Sequence, residues 1–258
     1  MSKLIVVGTG IKSVSHLSQE TIAVIKQSEK VLYLVNEPLM KEWIERESKC
    51  CESLDNIYFL YEKRIDSYQA ISNFIVSENE KHSNICVVFY GHPVTFASSA
   101  LSAVLEIRGK GEEAIILPAI SSLDCLFADL AIDPGDHGCY SIDATDFLIF
   151  NKKFDIRSHL ILWQVGNVGT YNQDKTKGIS ILQQYLLEHY NPEHRVCLYE
   201  ASQYPSVQPR VDFFQVLNLD KQEFTSISTL YIPPITNAIY NMEMIKKLGM
   251  NIANFQLS

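Results

Sequence analysis

An α/β fold built in two lobes is what this 258-residue chain predicts. Three observations carry the expectation. Short β-prone apolar runs alternate with amphipathic stretches through the first half, the rhythm of a mostly parallel sheet. The run Ile85-Cys86-Val87-Val88-Phe89 breaks at Tyr90-Gly91-His92-Pro93 before a helical-looking stretch, and open α/β sheets hold ligands outside the carboxyl ends of such strands. Late in the chain two strand-like runs follow one another with no helix-length segment between them, which predicts a mixed sheet with antiparallel members. A tight turn alone would also explain the break at Gly91, so that motif by itself leaves both readings open.

The elements follow in order. Leu4 to Val7 reads as a strand, Ser18 to Gln27 as an amphipathic helix and Val31 to Val35 as a second strand. Pro38 to Arg46 reads as helix, as does Ile65 to Ser77, where Tyr68, Ile71 and Phe74 share a face. The Ile85 to Tyr90 strand leads to a helix expected over Thr95 to Ile107. Ala114 to Leu117 is a short strand, and Ser121 is placed to cap a helix running through Asp129. Then come a strand at His159 to Gln164, a helix at Gly178 to His189, and strands at Arg195 to Tyr199, Phe213 to Leu217 and Leu230 to Ile232. A final helix is expected over Asn237 to Leu248, stopped by Gly249. The lobes divide near Pro118, giving 1–117 and 118–258.

Composition narrows the partners. Hydrophobic residues make up 47% and charged residues 20%, as in a folded protein of ordinary type. Net charge is −8 and the basic residues are scattered, which argues against nucleic acid as a partner. The first apolar run is too short for a signal peptide, and none approaches the ~18 residues that span a bilayer. A cytoplasmic location without membrane attachment is therefore expected. Six cysteines at irregular spacing form no C-x-x-C pair, so neither a metal site nor a disulfide framework is expected. Cys50-Cys51 is the one pair expected at the surface.

Gly8-Thr9-Gly10 follows the first strand as a dinucleotide-binding loop would, yet Ser13 stands where the third glycine belongs. Tight-turn geometry with the backbone approaching a ligand closely is the reading this loop supports.

Taken together, Leu4-Ile5-Val6-Val7-Gly8-Thr9-Gly10-Ile11, Phe89-Tyr90-Gly91-His92-Pro93 and Pro118-Ala119-Ile120-Ser121-Ser122 resemble the tetrapyrrole methylase family. Leu160-Ile161-Leu162-Trp163-Gln164 and Tyr231-Ile232-Pro233-Pro234 look like its later strands. The resemblance implies a tetrapyrrole methylase-like α/β fold, two α/β lobes with the cofactor cleft between them, binding S-adenosylmethionine. The Gly-Pro-Gly-Asp loop of corrinoid-acting members reads Gly8-Thr9-Gly10-Ile11 here, without the acid, which points away from a tetrapyrrole substrate. The segment from Tyr58 to Tyr68, with Trp163-Gln164-Val165-Gly166, resembles the borosin peptide α-N-methyltransferases, which methylate backbone amides of a precursor peptide. No long substrate-like tail follows the last helix, so the precursor is expected to be a separate protein.

The resemblance implies cofactor contacts for Tyr90, His92 and Thr95, then Ser121, Ser122, Gln164, Ala201, Ser228 and Thr229, and it implies a homodimer. It implies catalytic roles for Tyr58, Arg64 and Tyr68. The chemistry agrees. An amide nitrogen shares its lone pair with the carbonyl, so it needs a base for its proton and a cation for the carbonyl oxygen. A phenolate and a guanidinium serve, and Arg64 and Tyr68 share a face if the helix starts early enough. Bringing a phenol from about 10 to about 7 takes ~4 kcal/mol, and one arginine at about 4 Å supplies roughly that at an effective dielectric of 20, while burial opposes it. Without the resemblance, these aromatics would read as core or interface packing with Arg64 stacked on Tyr61 or Tyr68. His92 is expected as a neutral, hydrogen-bonding imidazole, Trp163 as a core residue, and Asp124 and Asp129 as ordinary helix-face acids. A methylase of a tetrapyrrole or another small molecule, a non-catalytic S-adenosylmethionine- or peptide-binding module and a ribosomal-RNA methylase stand as alternatives.

Overall fold

The structure is a computed structural model that describes residues 2–150, 152–169, 175–236 and 240–251, with backbone only for 175–177. The chain forms two compact units, one of residues 1–132 with 201–210 and one of 133–200 with 211–258. The segment from Pro118 to Ile132, which the expected division gave to the second lobe, groups with the first unit.

The first unit contains β1 (Lys3–Gly8), α1 (Gln19–Gln27), β2 (Lys30–Leu34), α2 (Pro38–Glu47), β3 (Cys51–Ser53), α3 (Asp55–Tyr58), α4 (Arg64–Asn79), β4 (Asn84–Phe89), α5 (Ser98–Gly109), β5 (Glu113–Ile116) and α6 (Ser122–Leu130). Its strands pair in the order β3-β2-β4-β1-β5, all parallel, with Val6 opposite Val87 and Leu32 opposite Val87 on the other side. A parallel sheet is covered on both faces, so its strands read as unbroken apolar runs. On one face Leu4, Val6, Leu32, Val87 and Phe89 pack with Ile71 and Ile75 of α4 and Ala103 and Val104 of α5. On the other, Val7, Val31, Tyr33 and Val88 pack with Ile25 of α1 and Met40 and Ile44 of α2.

The second unit holds α7 (Pro134–His137), β6 (Cys139–Asp143), α8 (Ala144–Ile149), β7 (His159–Trp163), α9 (Lys175–Leu187), β8 (Arg195–Glu200), β9 (Arg210–Gln215), β10 (Thr229–Ile232) and α10 (Met242–Lys247). The sheet order is β6-β7-β10-β8-β9. β6 runs parallel to β7, and β10 runs antiparallel to both β7 and β8. The expected mixed sheet is therefore present. Leu160, Leu162, Val196, Leu230 and Ile232 form its core with Phe147, Leu182, Leu186 and Tyr190.

Three expectations shift. The helix expected from Thr95 begins at Ser98, because Phe96 takes a left-handed φ of 55° and Ala97 sits at φ −118°, ψ 61°, neither of which continues a helix. The strand expected over Phe213 to Leu217 runs Arg210–Gln215, and a 3-10 turn follows in which the Val216 and Leu217 amides bond the His194 and Pro192 carbonyls. The final helix spans Met242–Lys247, capped by the Asn241 side chain and stopped at Gly249 with φ 66°. The first part of its expected span, 237–239, lies outside the described residues. Cys86, Cys125 and Cys197 are buried, Cys51 is half-buried, and Cys139 joins Cys50 at the surface. Among the described residues no helix is long and apolar enough to cross a membrane.

Candidate active site

Three loops leave the carboxyl ends of β1, β4 and β5, and those after β1 and β4 are stitched together through backbone. The Thr9 amide donates to the Phe89 carbonyl at 2.9 Å, and Gly10 and Gly91 exchange amide-to-carbonyl bonds at 3.2 and 3.1 Å. Both glycines adopt positive φ, 69° and 72°, the region that costs L-residues strain. Gly8 is needed for space: a Cβ there would lie 2.1 Å from the Gly91 oxygen and 2.7 Å from the Ala119 Cβ. The close approach expected of this glycine loop is thus to another loop of the protein. His16 completes the knot by accepting the Ile11 and Lys12 amides on Nδ1 at 3.1 and 3.2 Å. Burial, then Lys12, lowers its pKa, so the ring is neutral with Nε2 as its donor. A pocket of about 470 Å3 opens beside these strand ends, lined by Gly8, Ser15, His16, Pro118, Ile120 and Asp124 among others.

The expected cofactor residues of the first unit are Tyr90, His92, Thr95, Ser121, Ser122 and Ala201. Tyr90 is half-buried and accepts from Gln203 Nε2 at 3.4 Å. Burial raises its phenol pKa and the Gln203 donor partly offsets that. His92 accepts the Val94 amide on Nδ1 at 3.4 Å. Thr95 is exposed on the loop and does not start the helix. Ser121 caps α6 as expected, and Asp124 closes a capping box with it, taking the Ser121 amide at 2.7 Å and hydroxyl at 2.6 Å. Asp124 is therefore more than a helix-face acid. Ser122, the first residue of α6, is half-buried.

Gln164, Ser228 and Thr229 belong to the second unit. Gln164 ends β7 in a left-handed conformation at φ 54°. The next amide, Val165, donates to the Ser228 carbonyl at 3.1 Å, and Ser228 donates its hydroxyl to Glu200 at 2.5 Å. Thr229 opens β10 and is buried. Gly166 is required here, since a Cβ would fall 2.0 Å from the Thr225 oxygen. Trp163 is a core residue as expected, 6% exposed, with its indole donating to Ser141.

Tyr58, Arg64 and Tyr68 are brought into one neighbourhood of the first unit. α3 ends on Tyr58 and α4 starts on Arg64, early enough for Arg64 and Tyr68 to share a face. The Tyr58 and Tyr68 rings lie 6.2 Å apart, tilted by 38°. Ser67 donates to the Tyr58 carbonyl at 2.9 Å and locks the two helices together. Burial and the neighbouring Tyr58 push the Tyr68 phenol above its ordinary pKa, and Arg64 pulls against them. The energy that one arginine supplies is thus outweighed in this structure. Arg64 is exposed, and around it Phe59 and Ile65 are 77% and 73% exposed, with Leu60 and Tyr61 also open.

Sequence reasoning missed Glu37, which is 2% exposed yet receives four hydrogen bonds. The one local signal was Glu37-Pro38, an acid before a proline at the first turn of a helix.

Comparison with known proteins shows the family and the fold. Residues 3–202 match the family model for Tetrapyrrole (Corrin/Porphyrin) Methylases. The fold is similar to that of uroporphyrin-III-C-methyltransferase from Thermus thermophilus, with a TM-score of 0.63 and 16% identity over 90% of this chain and 92% of that one. It is similar also to diphthine synthase, with a TM-score of 0.64 and 14% identity over 94% and 93%. Among curated proteins, the methyltransferase/ribosomally synthesized cyclic peptide dendrothelin A precursor of Dendrothele bispora is 35% identical over 95% of this chain. The omphalotin A precursor of Omphalotus olearius, described likewise as methyltransferase and precursor, is 35% identical over 96%. The chain spans 61% of the length of each of these two relatives. From strand-end loops to sheet order, and over most of its length, the chain belongs to the tetrapyrrole methylase family.

Proposed function

We propose that this methylase transfers methyl groups to backbone amide nitrogens of a ribosomally made precursor peptide supplied as a separate molecule. The observation that carries the reading is the grouping of Tyr58, Arg64 and Tyr68 where α3 meets α4, inside an exposed apolar rim. Peptide methyltransferase fusions at 35% identity support the substrate class.

S-adenosylmethionine is the methyl donor of this methylase fold and supplies a methyl group on a sulfonium. The residues present suit such a ligand, with an aromatic ring at Tyr90, an imidazole at His92 and hydroxyls at Ser121 and Ser122. Cofactor contacts are assigned to these, to Thr95 and Ala201, and to Gln164, Ser228 and Thr229. In the reaction one tyrosine, Tyr68 by its contact with the arginine field, takes the amide proton as the nitrogen gains its methyl. Tyr58 hydrogen-bonds beside it. Arg64 steadies the carbonyl oxygen as negative charge collects there.

The exposure of Arg64 bears on partners. A guanidinium in water acts through a dielectric near 80 and loses most of its field. The apolar side chains of Phe59, Leu60, Tyr61 and Ile65 suit a covering surface that would exclude that water. We assign this covering role to the bound peptide together with a second copy of the chain in a homodimer working in the cytoplasm.

The test is incubation with S-adenosylmethionine and a candidate apolar precursor peptide, followed by fragment mass spectrometry. Mass increments of one methylene on backbone amides are expected. Methyl found only on side chains, or transfer to a small molecule and to no peptide, would overturn the assignment.

A further inference from the structure

Glu37 does more than cap a helix. As the residue before Pro38 it accepts the Leu39 amide on Oε1 at 2.9 Å and the Met40 amide on Oε2 at 2.8 Å. Short acceptors such as Ser or Asp are the preferred caps, so capping does not call for a glutamate. Its remaining capacity goes to distant partners. Ser13, in the loop after β1, donates to Oε2 at 2.8 Å, and Tyr204 donates its phenol to Oε1 at 2.9 Å. All four acceptor sites of the carboxylate are filled. Burial opposes the charge, but these donors outweigh it and hold the carboxyl below its ordinary pKa.

Tyr204 places this network beside the cofactor loops. Residues 201–210 group with the first unit although β8 before them belongs to the second. Ser202 Oγ donates to the Tyr204 carbonyl at 2.7 Å and accepts its amide at 3.2 Å, making a tight turn. Gln203 in that turn reaches the Tyr90 hydroxyl. The turn therefore has two anchors in the first unit, Glu37 below and Tyr90 beside it, and Ala201 stands at its start.

We propose that Glu37 is a positioning residue that, through Tyr204, holds the 201–204 turn against the Tyr90 loop and so sets the affinity for the methyl donor. The proposal rests on the assignment of Tyr90, His92 and Ala201 to cofactor contact.

Tyr204→Phe removes one hydroxyl and leaves the cap of α2 intact. Calorimetric titration of the full chain with S-adenosylhomocysteine should give a Kd about tenfold weaker, the effect of losing one hydrogen bond to a charged group. Peptide KM at saturating donor should stay unchanged. Ser13→Ala removes another donor from the same carboxylate without touching the turn, and its Kd should stay within about twofold of the native value. Equal weakening in both variants would reduce the effect to general loosening and overturn the proposal. His92→Ala separates the two levels of the argument. Weakened binding in His92→Ala with native binding in Tyr204→Phe would sink the Glu37 role and leave the cofactor assignment standing. Native binding in both would remove the cofactor assignment and the Glu37 role with it.

Discussion

The knot of strand-end loops and the Tyr58–Tyr68 segment are built on opposite principles. At Gly8, Gly10 and Gly91 the chain is held by backbone bonds and by the absence of side chains. At Tyr58, Arg64 and Tyr68 the chemistry rests on side chains, half-buried or exposed, on two helices that meet. The first is closed to side chains by lack of space at Gly8 and Gly10 and by positive φ at Gly10 and Gly91. The second leaves its cation facing water and its apolar rim uncovered. Scaffold and chemistry are therefore separable: one region should respond to mutation in stability, the other in rate.

The largest effect expected is on the scaffold side. Gly8→Ala puts a methyl 2.1 Å from the Gly91 oxygen, which the Gly10 amide holds in place. A loss of about 3 kcal/mol in urea unfolding is expected, the upper range for overpacking. Gly109→Ala is the control, since no atom lies within 4 Å of its added Cβ at the end of α5. That change should be neutral or stabilise by up to about 1 kcal/mol. If both variants behave alike, space at Gly8 does not matter and the contrast between the regions fails.

The next effect belongs to rate. Tyr68→Phe should lower kcat roughly 100-fold, the smaller end of what a positioned base contributes, with cofactor affinity and urea midpoint unchanged. The pH dependence sharpens this. In the proposed mechanism the phenolate is the base, and burial with Tyr58 holds the Tyr68 pKa above its ordinary value. Ionisation is therefore incomplete at neutral pH, and kcat should climb from about pH 7 to beyond about 10. In Tyr68→Phe that climb should disappear. A native profile flat across this range would remove Tyr68 from the proton transfer.

How much of this was legible in the sequence divides along the same line. β4 and its break at Gly91 were plain, because a strand covered on both faces is an unbroken apolar run and a glycine at positive φ ends it. The cap at Ser121 was legible because its partner is three residues away. β3 is three residues long and β6 lies at a sheet edge with no buried residue, so neither leaves a periodic signal. The start of α5 was misplaced because Phe96 adopts a left-handed turn that helix propensity does not foresee. The cap that Glu37 makes left the local trace Glu37-Pro38, but its bonds to Ser13 and Tyr204 could not be read, since those donors sit 24 and 167 positions away in the chain. Local patterns reveal what local bonds make. The shared face of Arg64 and Tyr68 was legible from their i, i+4 spacing on α4, whereas the approach of Tyr58 to Tyr68 joins two helices.

Ser121 tests where scaffold ends and chemistry begins, with the smallest expected effect. Its hydroxyl is already committed, donating to the Asp124 carboxylate at 2.6 Å and accepting the Asp124 amide at 3.3 Å. A group so engaged keeps one acceptor lone pair for the cofactor contact assigned to it, a weak contact unless the hydroxyl exchanges partners. Ser121→Ala should therefore cost about 1 kcal/mol of stability, as the loss of a helix cap does, and change S-adenosylhomocysteine affinity by less than about threefold, under 0.7 kcal/mol. A larger loss of affinity measured by titration would mean that binding draws the hydroxyl out of the capping box. The start of α6 would then belong with the adaptable region, and the rigid one would end at Ala119.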